Sequence, residues 1–463
     1  MTRLRPRSSR SIPSPVLLLL AAAVSGCASS AAPSASSPSL TGPPTAGASP
    51  ALRVPGSPAA AVPPAVLVVA RPGDDRWQLL DAASGDPYVS NAELSLAIGA
   101  PRPGWDRIVS ATIEGGATTV RDEIVQPGFG GPELRLDGRW RLPTVADAAI
   151  PGGVSVDQST IVLVEADAAP DAATSRFAVV QHTVDGKPSP NGDAGLRLVT
   201  TVELPGRFAY DTLSGDGRIL YVIEHLDAAE GGRYQVRAVD LPSGVLRDAV
   251  IVDKTDPDER MAGYPIAQVR RTDGVVMTLY DGPEHPFVHA LQSDEAWALC
   301  IDLPSVPGAD RSGWGLALGP DGRTVYAANG AAGVVVEVDP DEWAVSRIGS
   351  VTKSASSAIE LAKFGHTDVG PVGQRLVALP NGSGLLVATS DGVAIVSGKD
   401  LREAGRIVTG AAVEAIGVVP DGSVAFALTR DGRIVAFEPR GGGRTFGDVA
   451  GGPFSGLVAV APW

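Results

Sequence analysis

The chain has 463 residues, with 55 glycines, 39 prolines, 44% hydrophobic residues, 19% charged residues and a formal net charge of −14. This hydrophobic content excludes a wholly disordered chain, and two cysteines exclude a disulfide-stapled scaffold because they allow one bridge at most. Abundant Gly and Pro disfavour long helices, so the composition favours a large β protein, which can run well beyond ~150 residues as one domain.

Residues 1–26 have the pattern of a secretory signal. Four arginines and no acidic residue within positions 1–10 precede the apolar run VLLLLAAAV at 16–24, which is shorter than the ~20 residues of a membrane span. The sequence VSGC at 24–27 resembles the bacterial lipobox, which implies cleavage between Gly26 and Cys27 and acylation of Cys27, palmitate included. Two or more acyl chains hold a protein firmly to a bilayer. We therefore expect a lipoprotein on the outward, extracytoplasmic face of a bacterial cell membrane; the alternative is a secreted protein with a chance cysteine.

Residues 28–63 consist almost entirely of Ala, Ser, Pro, Gly and Thr, with Arg53 as the one charged residue. Such a segment cannot bury enough apolar area to offset ordering, which predicts a disordered tether. The predicted organisation is a signal peptide at 1–26, an acylated Cys and tether at 27–63, and a folded domain at 64–463. Removal of the signal's four arginines lowers the net charge from −14 to −18, which disfavours nucleic acid as a partner.

The folded region contains a repeat of an apolar run, an Asp-Gly or Asn-Gly turn and a second apolar run. The copy LGPDGRTVYAAN at 318–329 aligns with LSGDGRILYV at 213–222, with VPDGSVAFA at 419–427 and with LPNG at 379–382. Asp-Gly and Asn-Gly suit tight hairpins because both residues accept positive φ at little cost. The repeat therefore predicts strand–turn–strand units.

The spacing of these units predicts a β-propeller. The strands that follow the turns begin near residues 65, 107, 160, 218, 274, 323, 384 and 423. Separations of roughly 39 to 61 residues suit four short antiparallel strands per blade. The fold class is thus all-β, a single propeller with eight blades, or with seven if region 93–205 holds fewer units. We expect the C-terminal run at 456–461 to pair with the first blade, which hides two sheet edges, and the polar insertion 183–195 to form an exposed loop.

The copy at 318–329, followed by GVVVEVD at 333–339, is similar to the YVTN-type repeat of lactonase-like and quinoprotein-like propellers, which are WD40-like in architecture. The resemblance implies the propeller fold. Enzymes of those families place ligands or metals around the central channel with residues from several blades, but no such position matches here.

Two histidines have the spacing of a metal site. His285 and His289 are separated as in a zinc metalloprotease helix, but Pro286 replaces the glutamate base and the surrounding pattern is strand-like. We therefore favour exposed or packed histidines over a metal site. His182, His225 and His366 are isolated in the sequence, although the fold can bring them together.

Three further motifs carry weak chemical signals. The acidic run 253–259 offers oxygen ligands for calcium but lacks the glycine and closing glutamate of an EF-hand loop, so a solvated loop is favoured. Ser350 and Lys353 match Ser-x-x-Lys without its companion motifs, so a strand end is favoured. Cys300 lies in an apolar run, which favours an inert, buried thiol over a nucleophile.

These observations favour a binding or scaffold propeller, not an enzyme, with no cofactor and a protein or glycan partner in the cell envelope besides the membrane itself. The first alternative is a lactonase-like hydrolase that uses a divalent metal in the propeller channel. It would need three or more carboxylate, Asn or His side chains that converge there. The second is a quinoprotein-like oxidoreductase.

Overall fold

The computed structural model describes residues 61–74, 76–88, 95–102, 104–125, 131–145, 148, 150–169, 172–182, 195–226, 233–252, 261–306, 313–353, 373–440 and 443–461. All of them belong to one compact unit, residues 58–463. Their secondary structure consists of 33 β-strands without an α-helix, so none of these residues forms a helix with the length and hydropathy needed to cross a bilayer. The signal, Cys27 and most of the tether lie outside the described residues, as do 183–194, 253–260 and His366.

Four-stranded antiparallel sheets, the blades, follow one another along the chain, and each is ordered from its innermost to its outermost strand. Blades 1 to 4 consist of the following strands: blade 1, β33 (Gly456–Val460), β1 (Val66–Ala70), β2 (Arg76–Asp81) and β3 (Ser95–Ala97); blade 2, β4 (Gly99–Pro101), β5 (Arg107–Glu114), β6 (Ala117–Ile124) and β7 (Glu133–Asp137); blade 3, β8 (Trp140–Arg141), β9 (Thr160–Glu165), β10 (Thr174–His182) and β11 (Leu196–Pro205); blade 4, β12 (Phe208–Leu213), β13 (Ile219–His225), β14 (Arg233–Asp240) and β15 (Val245–Ile251), with β16 (Met261–Ala262) added to β14.

The second half of the chain repeats the same order with shorter strands. Blades 5 to 8 are as follows: blade 5, β17 (Tyr264–Arg270), β18 (Val275–Asp281), β19 (Phe287–Gln292) and β20 (Trp297–Asp302); blade 6, β21 (Trp314–Leu318), β22 (Val325–Asn329), β23 (Val334–Asp339) and β24 (Ala344–Ser350); blade 7, β25 (Leu376–Ala378), β26 (Gly384–Ala388), β27 (Gly392–Ser397) and β28 (Glu403–Val408); blade 8, β29 (Val413–Val418), β30 (Ala425–Thr429), β31 (Ile434–Phe437) and β32 (Thr445–Asp448).

The eight blades form a β-propeller, which confirms the predicted fold and blade count. Region 93–205, whose divergence left seven blades open, holds all of blades 2 and 3. The C-terminal strand β33 pairs antiparallel with β1, with Leu67 opposite Val460 and Ala70 opposite Gly456. This pairing confirms the predicted closure, in which the C-terminal strand is the inner strand of blade 1.

Burial follows the position of a strand within its blade. The second strand of blade 5, VVMTLYD at Val275–Asp281, is buried at every residue except the last, because neighbouring blades cover both of its faces. The outermost strand Ala344–Ser350 of blade 6 alternates exposed and half-buried residues, since only one face meets another blade. Between blades 5 and 6 the core is formed by side chains such as Met277, Leu316 and Val336. Burial of such side chains contributes about 1.5 to 3 kcal/mol each.

Two ends of the ring can be distinguished, and we name them by the strand connections they carry. The turn end carries the loops that join the first strand of a blade to its second, which include the repeated Asp-Gly turns. The entry end is the opposite end, where each innermost strand begins and where the second strand is joined to the third.

The Asp-Gly turns are tight hairpins, as predicted. In blade 6, Asp321 Oδ1 accepts the backbone N–H groups of Arg323 and Thr324, each at 3.0 Å. Gly322 has φ +69°, and a Cβ there would lie 2.5 Å from Thr272 Cγ2 of blade 5. The Thr272 backbone N–H in turn donates to the Gly322 carbonyl at 2.9 Å. The turn glycine thus allows both the backbone conformation and the contact between blades.

Candidate functional site

A solvent-open pocket with about 450 Å³ of empty space lies at the entry end, where blades 6, 7 and 8 meet. Its lining residues lie just before or at the start of the innermost strands of these blades, or at the end of their second strands and in the turns that follow. Its polar and charged lining consists of Arg375, Thr389, Ser390, Glu414 and Arg430. Its few convergent polar groups make this depression a candidate binding site.

Arg375 is the residue just before the inner strand β25 of blade 7. Its backbone carbonyl accepts the Ala388 N–H at 2.9 Å, which fixes the main chain beside the second strand of the same blade. The side chain is half-buried. Among the described residues, no hydrogen bond or ion pair engages its guanidinium. The pocket therefore holds a cation whose five donors have no protein acceptor in this part of the structure.

Arg430 and Glu414 form the opposite side of the pocket, on blade 8. Arg430 Nε donates to Glu414 Oε1 at 3.0 Å, and the two side chains are 44% and 28% exposed. The Arg430 backbone N–H donates to the Ala412 carbonyl at 2.8 Å, which holds the turn against the start of β29. Because Glu414 already balances Arg430, the pocket carries a net charge of one positive unit from Arg375.

The turns of blades 7 and 8 place their pocket residues by the same local device. In the sequence Thr-x-Asp-Gly, the threonine hydroxyl donates to the aspartate: Thr389 Oγ1 to Asp391 Oδ1 at 2.9 Å, and Thr429 to Asp431 in the same way. Thr389 Oγ1 also donates to the Gly392 carbonyl at 2.8 Å. These hydroxyls are therefore occupied within the turn, and the residue between Thr and Asp lines the pocket.

The central axis beside blade 1 is occupied by two chain segments from other blades. Gly373, just before blade 7, has φ +108°, and a Cβ on it would lie 2.1 Å from the Leu457 carbonyl oxygen of blade 1. The adjacent Gln374 carbonyl accepts the Ile416 N–H of blade 8 at 2.7 Å. From blade 3, Ile150 packs against the apolar cluster that contains Val458 of blade 1. The segments leave less room at the axis for a bound group.

The two histidines with metal-like spacing lie in different environments. His285 precedes β19, is 36% exposed and has its Nδ1 3.6 Å from Asp302 Oδ1. His289 is buried on β19, with Thr278 and Cys300 as its cross-strand neighbours. In the described part of the chain, no group of three or more His, Cys, Asp or Glu side chains is arranged to hold a metal ion.

Among the remaining candidates from the sequence, the structure describes Ser350 and Cys300. Ser350 is the last residue of β24, as the strand-end prediction requires. Cys300 is on β20 and is only partly buried, less so than its apolar run suggested. Cys27, Gly26 and the acidic run 253–259 lie outside the described residues, so the proposals on them rest on the sequence.

His182 belongs to a buried ionic cluster between blades 2 and 3, not to a histidine site. Its Nε2 is 2.9 Å from Asp122 Oδ2, and its Nδ1 is 3.0 Å from the Gln158 carbonyl oxygen. Arg107 and Arg102 reach the same carboxylate at 2.7 and 3.2 Å. Burial raises the pKa of Asp122, but the hydrogen bonds from His182 and Arg107 outweigh it and hold that pKa below its ordinary value.

A second buried carboxyl lies between blades 4 and 5. Asp211 is 1% exposed, Gln268 Nε2 donates to its Oδ1 at 3.2 Å, and its Oδ2 has no partner among the described residues. Burial raises the pKa of Asp211 to about 7, despite the opposing effects of Gln268 and Arg270. Neither this cluster nor that of Asp122 lines the pocket, so both are features of blade packing.

No protein-family model and no curated protein matches the chain. Solved structures with a similar fold include AztD from Citrobacter koseri, with a TM-score of 0.50, 13% identity and coverage of 85% of this chain and 96% of that chain. Sqt1 from Chaetomium thermophilum, solved bound to the N-terminus of ribosomal protein L10, has a TM-score of 0.45 at 14% identity and covers 76% and 86%. The periplasmic gluconolactonase PpgL of Pseudomonas aeruginosa has 0.39 at 17% and covers 75% and 97%. At these identities the similarity concerns the fold.

The sequence analysis did not single out Arg375, Glu414 or Arg430. The one local signal was the Thr-x-Asp-Gly turn, present at 389–392 and 429–432. It places Ser390 and Arg430 in the pocket. Arg375 belongs to none of the repeated motifs found in the sequence.

Proposed function

We propose that this chain is a binding propeller whose partner docks at the entry end, over the pocket of blades 6, 7 and 8. The observation that carries the proposal is the half-buried Arg375 guanidinium, which has no hydrogen-bond or ion-pair acceptor among the described residues. Partial burial removes water from a charged group, and no described protein acceptor compensates for that loss. A partner that supplies the acceptor recovers this free energy on binding.

Exposed apolar side chains at the same end support a macromolecular partner. Leu226 and Tyr264, at the entry end of blades 4 and 5, are 42% and 43% exposed, and Val408 of blade 7 is 68% exposed. Tyrosine and arginine are enriched in protein interfaces relative to the rest of the surface. We therefore favour an envelope protein as the partner, with a glycan as the alternative.

The location of this module is proposed from the N-terminal sequence. Acylated Cys27 would attach the chain to the outward face of a bacterial cell membrane, and the segment 28–63 would hold the propeller roughly 30–36 Å away from it. The test is membrane fractionation. We expect Cys27→Ala to release the protein from the membrane fraction and the matched variant Cys300→Ala to leave it there. Retention of the Cys27→Ala protein would contradict the lipid anchor.

Site-specific photocrosslinking tests the docking end. A benzophenone amino acid is placed at Tyr264 on the entry end, and as a matched control at Val245, which is 58% exposed at the turn end. In envelopes of the native host, we expect a discrete adduct from position 264, its loss in the Arg375→Glu background, and none from position 245. An adduct from position 245 alone, or one from position 264 that is indifferent to Arg375→Glu, would contradict the proposal.

A further inference from the structure

We infer that the pocket receives a single acidic side chain, Asp or Glu, from a polypeptide partner, with Arg375 as its ion-pair donor; the inference rests on the proposed function. A planar guanidinium and a carboxylate can form two parallel hydrogen bonds, the geometry that favours arginine for this recognition. Arg375 is the one pocket cation without a described acceptor, so it is the group that a ligand carboxylate would meet first.

The charges in the pocket favour a monoanion over a phosphate. Arg430 is neutralised by Glu414, whose Oε1 accepts from Arg430 Nε at 3.0 Å. A carboxylate leaves the site neutral when it pairs with Arg375. A phosphate group, with about 1.5 to 2 negative charges, would bring uncompensated charge close to Glu414. The single unpaired positive charge of the pocket therefore matches a singly charged ligand better than a doubly charged one.

Because the whole chain is negatively charged, recognition of an acidic side chain depends on contacts within the pocket. The formal net charge is −14, so long-range electrostatic repulsion opposes the approach of an acidic partner. A preference for acidic ligands can then come only from contacts within the pocket. A measured preference for an acidic ligand would therefore indicate contacts within the pocket, because diffuse charge attraction cannot produce it.

The lining favours a peptide over an acidic sugar. Besides the charged and hydroxyl groups, the described lining consists of Gly313, Val413 and alanines at 331, 388 and 412, and none of these residues is aromatic. They offer a sugar ring no aromatic face to stack on. Small aliphatic walls of this kind fit the methylene groups of a Glu or Asp side chain.

The test uses the purified full chain and fluorescent, capped nonapeptide pools of neutral residues with one fixed central residue. Central Glu is compared with Gln, its uncharged isostere, and with phosphoserine; fluorescence anisotropy measures binding. We expect the Glu pool to bind at least tenfold more tightly than the Gln and phosphoserine pools. Arg375→Gln should reduce the Glu-to-Gln preference to less than twofold, and Arg375→Lys should keep part of it. The control Arg135→Gln removes the same charge from an exposed position of the outermost strand β7 and should change nothing.

Each other outcome overturns the inference in a recognisable way. Equal binding of the Glu and Gln pools would show that the pocket does not recognise a carboxylate. Tighter binding of the phosphoserine pool would show that its ligand group is a phosphate. If oligogalacturonate binds in an Arg375-dependent manner and the peptides show no preference for Glu, the ligand is a glycan and not a polypeptide. If the pools fail while the crosslink at position 264 still depends on Arg375, only the ligand class is wrong. If the crosslink arises from position 245, the docking end itself is wrong.

Discussion

The two ends of the ring differ in how their polar groups are used. At the turn end, neighbouring blades are joined by direct contacts: Thr272 donates to the Gly322 carbonyl between blades 5 and 6, and His182 meets Asp122 between blades 3 and 2. The entry end has such a contact too, from the Val413 N–H of blade 8 to the Thr389 carbonyl of blade 7 at 3.0 Å, but Arg375 there lies in a pocket without a described acceptor. Groups that are satisfied by other blades stabilise the ring, whereas a group left unsatisfied is available to a partner.

The Asp-Gly turns at the turn end and the pocket turns at the entry end are therefore constrained in different ways. A turn that contacts the next blade must keep its glycine and its capping aspartate, so its sequence recurs and can be recognised. The entry-end turns of blades 7 and 8 share Thr, Asp and Gly, whereas the residue between Thr and Asp differs: it is Ser390 in blade 7 and Arg430 in blade 8. Variation confined to that position changes the pocket without changing the ring.

A large loss of stability is expected from Asp122→Asn, which removes the carboxylate that joins blades 2 and 3 at the turn end. The substitution leaves Arg107 and Arg102 without their carboxylate in a buried site. Loss of one partner of a buried ion pair costs about 3 to 5 kcal/mol, and the lower value applies because both arginines stay partly exposed. Thermal unfolding at pH 7 should show a clearly lower midpoint for this variant.

The exposed pair Arg121–Glu133 on the same blade provides the control. These side chains are 38% and 54% exposed, so Glu133→Gln should change stability by less than about 1 kcal/mol. Acid should narrow the difference between wild type and Asp122→Asn. Because the pKa of Asp122 is lowered in the folded state, its stabilisation is present above the ordinary value of 3.8 and is lost as pH falls through the folded pKa. A constant difference down to pH 2 would contradict this role.

Asp211, between blades 4 and 5, is a carboxyl that burial penalises and that is only partly hydrogen-bonded by the described residues. Its pKa of about 7 exceeds the ordinary 3.8, so the unfolded chain releases this proton first as pH rises. The stabilisation by protonated Asp211 is complete below pH 3.8 and is lost by about pH 7, a change on the order of 4 kcal/mol at 1.36 kcal/mol per unit. Asp211→Asn removes this loss, so the variant should gain stability over wild type as pH rises from 4 to 8.

Equilibrium urea unfolding across that pH range measures the gain. Asp302→Asn, a change at an exposed carboxyl whose side chain is 71% accessible, is the control and should follow the wild-type pH dependence. Parallel curves for wild type and Asp211→Asn would show that the Asp211 carboxyl has an ordinary pKa in the folded protein.

Gly322→Ala tests whether the turn end depends on close packing as well as on backbone conformation. The new Cβ would require φ +69° and would lie 2.5 Å from Thr272 Cγ2. Left-handed backbone costs roughly 1 to 2 kcal/mol for a residue with a Cβ, and overpacking adds about 1 to 3. Gly410→Ala, at φ +78° with no atom within 4 Å, should show the backbone cost alone. Equal shifts in the unfolding midpoint of both variants would mean that the blade contact is unimportant.

The sequence was sufficient for the fold because the recurring features are local. Asp-Gly turns and runs such as 334–338 determine hairpins by themselves, and their spacing gave the eight blades and the closure by β33. The clusters around Asp122 and Asp211 could not be predicted, because their partners are 15 to 60 residues apart and meet only when blades stack. The pocket was missed for the same reason: Arg375, Glu414 and Arg430 come from two blades and from no shared motif.

The smallest effect on stability, and the largest contrast with the turn end, is expected from Arg375→Gln. Surface substitutions without described partners usually change stability by less than about 0.5 kcal/mol, and removal of a half-buried, unpaired charge can even stabilise the protein. The unfolding midpoint should therefore stay at or slightly above that of wild type, while the Arg375-dependent crosslink from position 264 disappears. Arg433→Gln is the control at a neighbouring turn, because Arg433 pairs with Asp431 at 2.9 Å and lies outside the pocket lining. If Arg375→Gln instead lowers the midpoint as much as Gly322→Ala does, this arginine stabilises the ring, and the entry end is not the functional end of the propeller.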